Sequence, residues 1–284
     1  MIMKMRMGVV LSVVAAMVLG AGVARAADAK PAPLRALLLI GGCCHDYKAQ
    51  KDILKAGLEA RANVVVDVVY SEDTNTSPAF PIYGNPKYAD NYDVVIHDEC
   101  AADIKDIATV QGVLAPHKNG IPGVNIHCGM HCYRTAPDVK VKTTPGTNEA
   151  LWFDYLGIQS SGHGMQKPIA IKFTDKDSPI AKGLEDWTTI REELYNNIDV
   201  REKTHVVARG SQEPNDKPNF TESAVVWTNE YGDKKTRVFS TTIGHNNETV
   251  SDGRYLDLVT HGLLWACDKI DASGAPKAGY GPAK

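Results

Sequence analysis

The sequence predicts an α/β fold with a mostly parallel sheet flanked by helices. Three observations carry the prediction. Early in the chain, apolar runs of strand length alternate with helical patterns in the order β-α-β. The first run is almost continuously apolar, as a strand covered on both faces must be. Successive runs then end in histidines, carboxylates and thiols, and parallel α/β sheets bind ligands outside the carboxyl ends of their strands.

The first residues stand outside that fold. Lys4 and Arg6 precede an apolar run from Met7 to Leu19, and small residues lead to Ala24-Arg25-Ala26. This is the pattern of a secretory signal over residues 1–26, with cleavage expected after Ala26 and export to the periplasm or the medium. The run is short for a membrane anchor, and no cysteine near the site offers a lipid attachment point. No stable membrane span is expected after cleavage. Residues 27–33 read as a linker, 34–270 as one domain and 271–284, rich in Gly, Pro, Ala and Lys, as a loose tail.

Leu34 to Ile40 is the first strand, and Gly41-Gly42-Cys43-Cys44-His45-Asp46 follows it. A helix is expected from about Lys48 to Arg61, with Ile53, Leu54 and Leu58 on one side. Asn63 to Tyr70 is the second strand. Ser71 to Asn91, with three prolines and no periodicity, reads as a long surface loop over the site. The third strand, Tyr92 to Ile96, runs into His97-Asp98-Glu99-Cys100, and Asp103 is a suitable cap for the next helix. Gly123 to Ile126 is the fourth strand and breaks into His127-Cys128-Gly129-Met130-His131-Cys132, an elbow of imidazoles and thiols. Glu149 to Leu156 reads as a short aromatic helix. Ile169–Phe173, His205–Ala208, Ala224–Thr228 and Arg237–Ile243 read as strands, the last ending in Gly244-His245. A final helix is expected over residues 252–266.

With 284 residues and 43% hydrophobic content, the chain can bury a sizeable core. A formal charge of −3 with scattered Lys and Arg leaves no basic stripe, so no nucleic-acid partner is expected. The oligomeric state is not legible. All six cysteines lie beyond the signal, where disulfides are permitted, and five of them (43, 44, 100, 128 and 132) fall near one sheet edge. A bridge using Cys128 would remove it as a nucleophile.

Several separated blocks together resemble one family. They are Gly-Gly-x-x-His-Asp after the first strand, His127, Gly162-His163-Gly164, Glu193-Leu194-Tyr195, Val226-Trp227-Thr228, Arg237-Val238-Phe239, Gly244-His245 and Gly262-Leu-Leu-Trp-Ala266. In order and spacing they are similar to the ThuA-like, or trehalose-utilisation, family, from about Leu34 to Cys267. The resemblance implies a class I glutamine amidotransferase-like, flavodoxin-like three-layer sandwich: a doubly wound, mostly parallel sheet flanked by helices, with an inserted antiparallel portion. It also implies a role in the use of disaccharides such as trehalose or of keto-sugar intermediates, with a small-molecule carbohydrate as partner.

Three chemistries fit these residues. In the first, a sugar-processing hydrolase or lyase uses His127, His163, Glu193 and His245 for proton transfer, while His45, Asp46, Asp98, Glu99, His131, Tyr195 and Trp227 bind substrate. In the second, Cys128 at the elbow is a nucleophile activated by His245, the places a thiol and a histidine take in the amidotransferase relatives. The pattern departs there: the relatives' G-x-C-x-G is Ile126 to Met130 here, and Glu248 falls one residue late for their His-x-Glu. In the third, a divalent metal is held by His127 and His131, sharing a face if a helix has begun, with His45 foremost and His163, Asp46 or His245 as alternatives to complete the set. No cofactor is otherwise required. A non-catalytic sugar-binding module, stacking on Tyr83, Trp152, Tyr195 and Trp227, is the remaining alternative.

Overall fold

The sheet grows outward from β1 (Leu34–Gly42), whose residues Leu37 to Ile40 have no solvent exposure. Burying each of those side chains contributes about 1.5–3 kcal/mol. This computed structural model describes Ile2, residues 31–213 and residues 222–282. The expected signal and most of the linker lie outside the described residues, as does most of the polar loop before residue 222.

The first half alternates strands and helices as expected: β1, α1 (Tyr47–Glu59), β2 (Val64–Ser71), β3 (Val94–Cys100), α2 (Ile107–Lys118) and β4 (Gly123–Ile126). The short α3 (Leu151–Leu156) follows, then a run of strands: β5 (Ile158–His163), β6 (Lys167–Phe173), β7 (Trp187–Glu192), β8 (Tyr195–Val200), β9 (His205–Ser211), β10 (Glu222–Tyr231) and β11 (Thr236–Thr241). Two helices close the chain, α4 (Asn247–Val250) and α5 (Gly253–Ala266).

Nine strands form one sheet in the order β2-β1-β3-β4-β11-β10-β9-β6-β7. The pairs from β2 to β11 are parallel and those from β11 to β7 antiparallel, so the sheet is mixed. β5 and β8 form a separate ribbon. Because β1, β3, β4 and β11 run together, their carboxyl ends share one edge. Counting four antiparallel reversals onward from β11 brings the carboxyl end of β7 to that edge too. The apolar side of α1 and α5 covers one face, and α2 and α3 cover the other.

Four sequence expectations change. β3 does not stop at Ile96 but continues to Cys100, pairing His97, Asp98 and Glu99 with Leu39, Ile40 and Gly41 of β1. The cap of α2 is Asp106, whose carboxylate accepts from the Thr109 N–H at 2.8 Å, and not Asp103. The stretch from Ser71 to Asn91 does not reach over the site: Tyr83 from it packs against the far face, donating to Glu99 at 2.9 Å. The tail is tied down, since Tyr280 and Gly279 carbonyls accept from the backbone and side chain of Asn63 and Lys269 lies over the Tyr280 ring. Its glycines and prolines shape a return path along the body.

Candidate active site

The elbow after β4 is a single 3-10 turn, His127–His131, and His127 itself takes a left-handed backbone at φ +40°. Such a conformation costs a non-glycine residue about 1–3 kcal/mol and persists only where its surroundings enforce it. Trp152 helps enforce it, its indole N–H donating to the Gly129 carbonyl at 2.8 Å. The turn also separates two expected partners. Residues four apart lie about 40° apart around an α-helix but about 120° apart in a 3-10 turn. His131 therefore leaves His127: its Nε2 meets Ser160 Oγ at 2.9 Å, and its ring stacks on Tyr195 at 4.0 Å. The expected metal set of His45, His127 and His131 is not assembled.

His245 takes the vacated place. Gly244, at φ +130°, brings it there, and a Cβ at that glycine would lie 2.7 Å from the Tyr255 hydroxyl. The rings of His45, His127 and His245 then meet edge to face, with centroids 4.6 to 5.4 Å apart. Glu192, buried at the end of β7, holds the loop: its carboxylate accepts from the His245 N–H at 2.9 Å and the Asn246 N–H at 3.3 Å.

Glu193, the next residue, is the centre of the site. Its carboxylate lies 3.5 Å from His127 Nε2, 3.4 Å from His163 Nε2 and 3.3 Å from His245 Nδ1. Burial works against its charge, but the close approach of His127 and His245 and the charges of His127 and His163 outweigh it and hold the carboxyl well below its ordinary value. Burial lowers His245, but the adjacent Glu193 carboxylate prevails and raises it. His163 ends β5 opposite Tyr195 of β8, and with 38% of its side chain exposed it is the open member of the group.

Proton positions follow from the partners. Carbonyl oxygens only accept, so His127 Nδ1, 2.6 Å from Thr242 O, and His163 Nδ1, 2.9 Å from Gly164 O, both carry protons. In their neutral forms the Nε2 atoms would then aim lone pairs at a carboxylate. The group is coherent only with a cation or proton shared between Glu193 and these nitrogens. His45 stays neutral, pushed down to about 2 by burial and by the charges of His127 and His245. A cleft of about 410 Å³ opens beside His45 and His245, walled by Cys44, Asp46, Asn246, Asn247 and Glu248. Asp46 is there but engaged, accepting from Ala49 N–H as the cap of α1 and from Asn247 Nδ2.

Three expected substrate binders are elsewhere. Strand alternation along β3 turns His97 and Glu99 toward α2 and α3, away from the cleft. Glu99 Oε1 accepts there from His97, Tyr83 and Tyr133 at 2.9, 2.9 and 2.6 Å. Asp98 points the opposite way and is buried; burial, with the charges of Glu99 and Cys100, raises it well above the usual carboxylate range. Trp227 is wholly buried, its indole N–H donating to Leu156 O at 2.8 Å, and Trp152 is likewise a core residue. Tyr195 does join the site, its hydroxyl 3.3 Å from His127 Nε2.

Cys128 is not in a disulfide; the bridge in this region joins Cys43 to Cys44, with Cys43 Sγ 3.4 Å from Cys100 Sγ. Its Sγ lies 3.2 Å from His45 Nε2. The thiol is pushed well up by its hydrogen bond to Cys100 and by burial, so it is a protonated group beneath the imidazoles. Glu192, Gln166 and Ser160 were not legible as site residues. Gln166, whose Nε2 lies 2.7 Å from His245 Nε2, sits in a strand connection with no local signal.

Among the described residues no helix is long and apolar enough to cross a membrane. No curated protein matches the chain in sequence. Its fold is similar to that of a putative ThuA-like protein from Parabacteroides merdae, at 20% identity and a TM-score of 0.57, over 89% of this chain and 98% of that one. A putative ThuA-like protein from Bacteroides uniformis is similar at 16% identity and a TM-score of 0.59, over 85% of this chain and 94% of that one. At these identities the likeness speaks for the fold alone. The family model described as trehalose utilisation matches residues 35–266, and the chain therefore belongs to the ThuA family.

Proposed function

We propose that the chain is an exported enzyme that cleaves or modifies a disaccharide or a keto-sugar glycoside by proton transfer. The observation that carries this reading is Glu193, placed within 3.5 Å of ring nitrogens of three histidines. A carboxylate sharing a proton with imidazoles offers an acceptor and a donor side by side. The ThuA family's association with trehalose utilisation supports a sugar as substrate. The cleft of about 410 Å³ beside the group falls within the range of roughly 300–1,000 Å³ common for small-molecule sites. The N-terminal charge and apolar pattern supports export.

A sugar oxidised to a ketone has an acidified C–H beside the carbonyl. The Glu193–imidazole group takes that proton, the proton coming to rest on an imidazole nitrogen beside the carboxylate, the C–H electrons form a carbon–carbon double bond, and the glycosidic C–O bond breaks. His163, the exposed imidazole, returns a proton to the departing oxygen. His127 and His245 hold the carboxylate between them, and Tyr195 packs His131 and His127 in place.

The test is incubation of the purified protein with disaccharides and their 3-keto forms. Turnover of the keto forms is expected, abolished in Glu193→Gln and strongly reduced in His163→Ala. Binding without turnover under every condition would leave a sugar-binding module in its place. Loss of activity in Cys128→Ser with full activity in His163→Ala would favour the thiol chemistry instead.

A further inference from the structure

We infer that His45, His127 and His245 form a binding site for a divalent transition-metal ion, with Zn²⁺ as the simplest occupant. One ring nitrogen from each residue lies within 4.8 Å of the others. Nitrogens sharing a tetrahedral ion at about 2.05 Å are about 3.4 Å apart, so side-chain adjustments of an ångström or so complete the set.

The stronger argument is how the six ring nitrogens are used. In each imidazole one nitrogen is engaged by a partner on the outside: Thr242 O for His127 Nδ1, Cys128 Sγ for His45 Nε2 and Gln166 for His245 Nε2. The other nitrogen is left for the interior. His45 Nδ1 and His245 Nδ1 are both buried with no hydrogen-bond partner, the latter despite lying 3.3 Å from Glu193, since the alignment is wrong. His127 Nε2 has only longer contacts, to Tyr195 at 3.3 Å and Glu193 at 3.5 Å. Metal-ligating histidines show this division, one nitrogen on the ion and the other N–H donating to an outer acceptor; the Thr242 carbonyl is such an acceptor, the Cys128 sulfur can accept, and Gln166 does so with its side-chain amide turned to present Oε1 to His245 Nε2. Buried polar atoms without partners cost stability, and an ion would satisfy them together. Neutral imidazoles suit Zn²⁺ and its neighbours in the series.

The inference deepens the proposed function and rests on it only for the location of the site. With an ion on the three imidazoles, the nitrogens of His127 and His245 that now face Glu193 would turn to the ion, leaving Glu193 with His163 to move protons, and the ion would polarise the carbonyl of a bound keto-sugar.

The purified full chain, treated with chelator and dialysed, is titrated with ZnCl₂ by calorimetry and with Co²⁺ by visible absorption. One ion per chain is expected, with a tetrahedral cobalt spectrum lacking a strong near-ultraviolet thiolate band. Losing an outer partner costs roughly 10–100-fold in affinity, so Gln166→Leu should weaken Zn²⁺ binding by about that factor. His45→Ala, His127→Ala and His245→Ala, each removing a ligand, should weaken it further, while His205→Ala, at an exposed histidine paired with Asp175, leaves it unchanged. If buried His127→Ala does not fold by circular dichroism, His45→Gln and His245→Gln carry the test. No stoichiometric binding, unaltered affinity in the folded His45 and His245 variants, or a thiolate–cobalt band pointing to the free thiols of Cys100 or Cys128 would each overturn the inference. Because binding is read without substrate, tight Zn²⁺ with no keto-sugar turnover would fault the proposed function alone, and turnover without metal would fault only the ion.

Discussion

Replacing Glu99 by glutamine separates structure from chemistry. The residue sits among polar groups that resemble a site in the sequence, yet it faces α2 and α3. His117 Nδ1 donates to Ile121 O at 2.8 Å, and His117 Nε2 lies 3.1 Å from His97 Nε2, whose ring in turn places Nδ1 2.9 Å from Glu99. Satisfying all three contacts takes three protons on the two imidazoles. Burial and the charge of His97 push His117 down to about 3. Burial opposes the Glu99 charge, but the His97 charge and hydrogen bond, with Tyr133, hold its carboxyl below the usual value. Glu99→Gln keeps an acceptor for Tyr83 and Tyr133 but strands the His97 charge in a dry interior. Removing one partner of a buried ion pair costs about 3–5 kcal/mol. For a body of this size that is a fall in Tm of about 6–20 °C, read by calorimetry or urea unfolding. The folded fraction of the variant should retain near-wild-type turnover. A variant as stable as the wild type but catalytically dead would refute the reasoning and return Glu99 to the site.

Three further outcomes are expected. Trp227→Ala should destabilise the protein by about 3–5 kcal/mol, because it empties a fully buried volume, and urea unfolding measures it. His117 predicts a pH dependence: unfolded histidine binds a proton near pH 6.5 whereas the native residue does not until about 3, so stability falls as pH falls through this window. The loss is about 2 kcal/mol between pH 6.5 and 5, and His117→Asn should flatten the unfolding profile over that range. Cys128→Ser should keep turnover within about threefold of wild type, since the thiol is held protonated beneath the imidazoles; a loss of 100-fold or more would restore it as nucleophile.

What the sequence makes legible is governed by how local the causes are. β1, its glycines and His45 follow from an apolar run and the turn after it, and His127 and His245 meet at the strand ends where the sequence puts them, while His163 and Glu193 reach them from stretches in which the sequence shows no strand. The end of β3 is hidden in the sequence, because three polar residues after an apolar run look like a loop. They are strand residues only because His117, Tyr83 and Tyr133, distant in sequence, satisfy them. His131 was misplaced because a helical face was assumed where the chain makes a 3-10 turn. Trp227 was misread because aromatic side chains serve core and sugar stacking alike, and only the Leu156 carbonyl decides. Glu192 gave no sign of its role, since its partners are backbone N–H groups more than fifty residues away.

Hydrogen–deuterium exchange on a substrate tests the role of Glu193 most directly. A 3-keto disaccharide is incubated in D₂O with the protein while NMR follows the proton beside the ketone. The wild type should wash that proton out, or lose it on cleavage, far faster than buffer does. General acid–base catalysis is worth about 10²–10⁴-fold, and Glu193→Gln should lose a factor in that range. Equal rates of exchange and cleavage in the wild type and Glu193→Gln would contradict the assignment of Glu193 as the group that moves the proton.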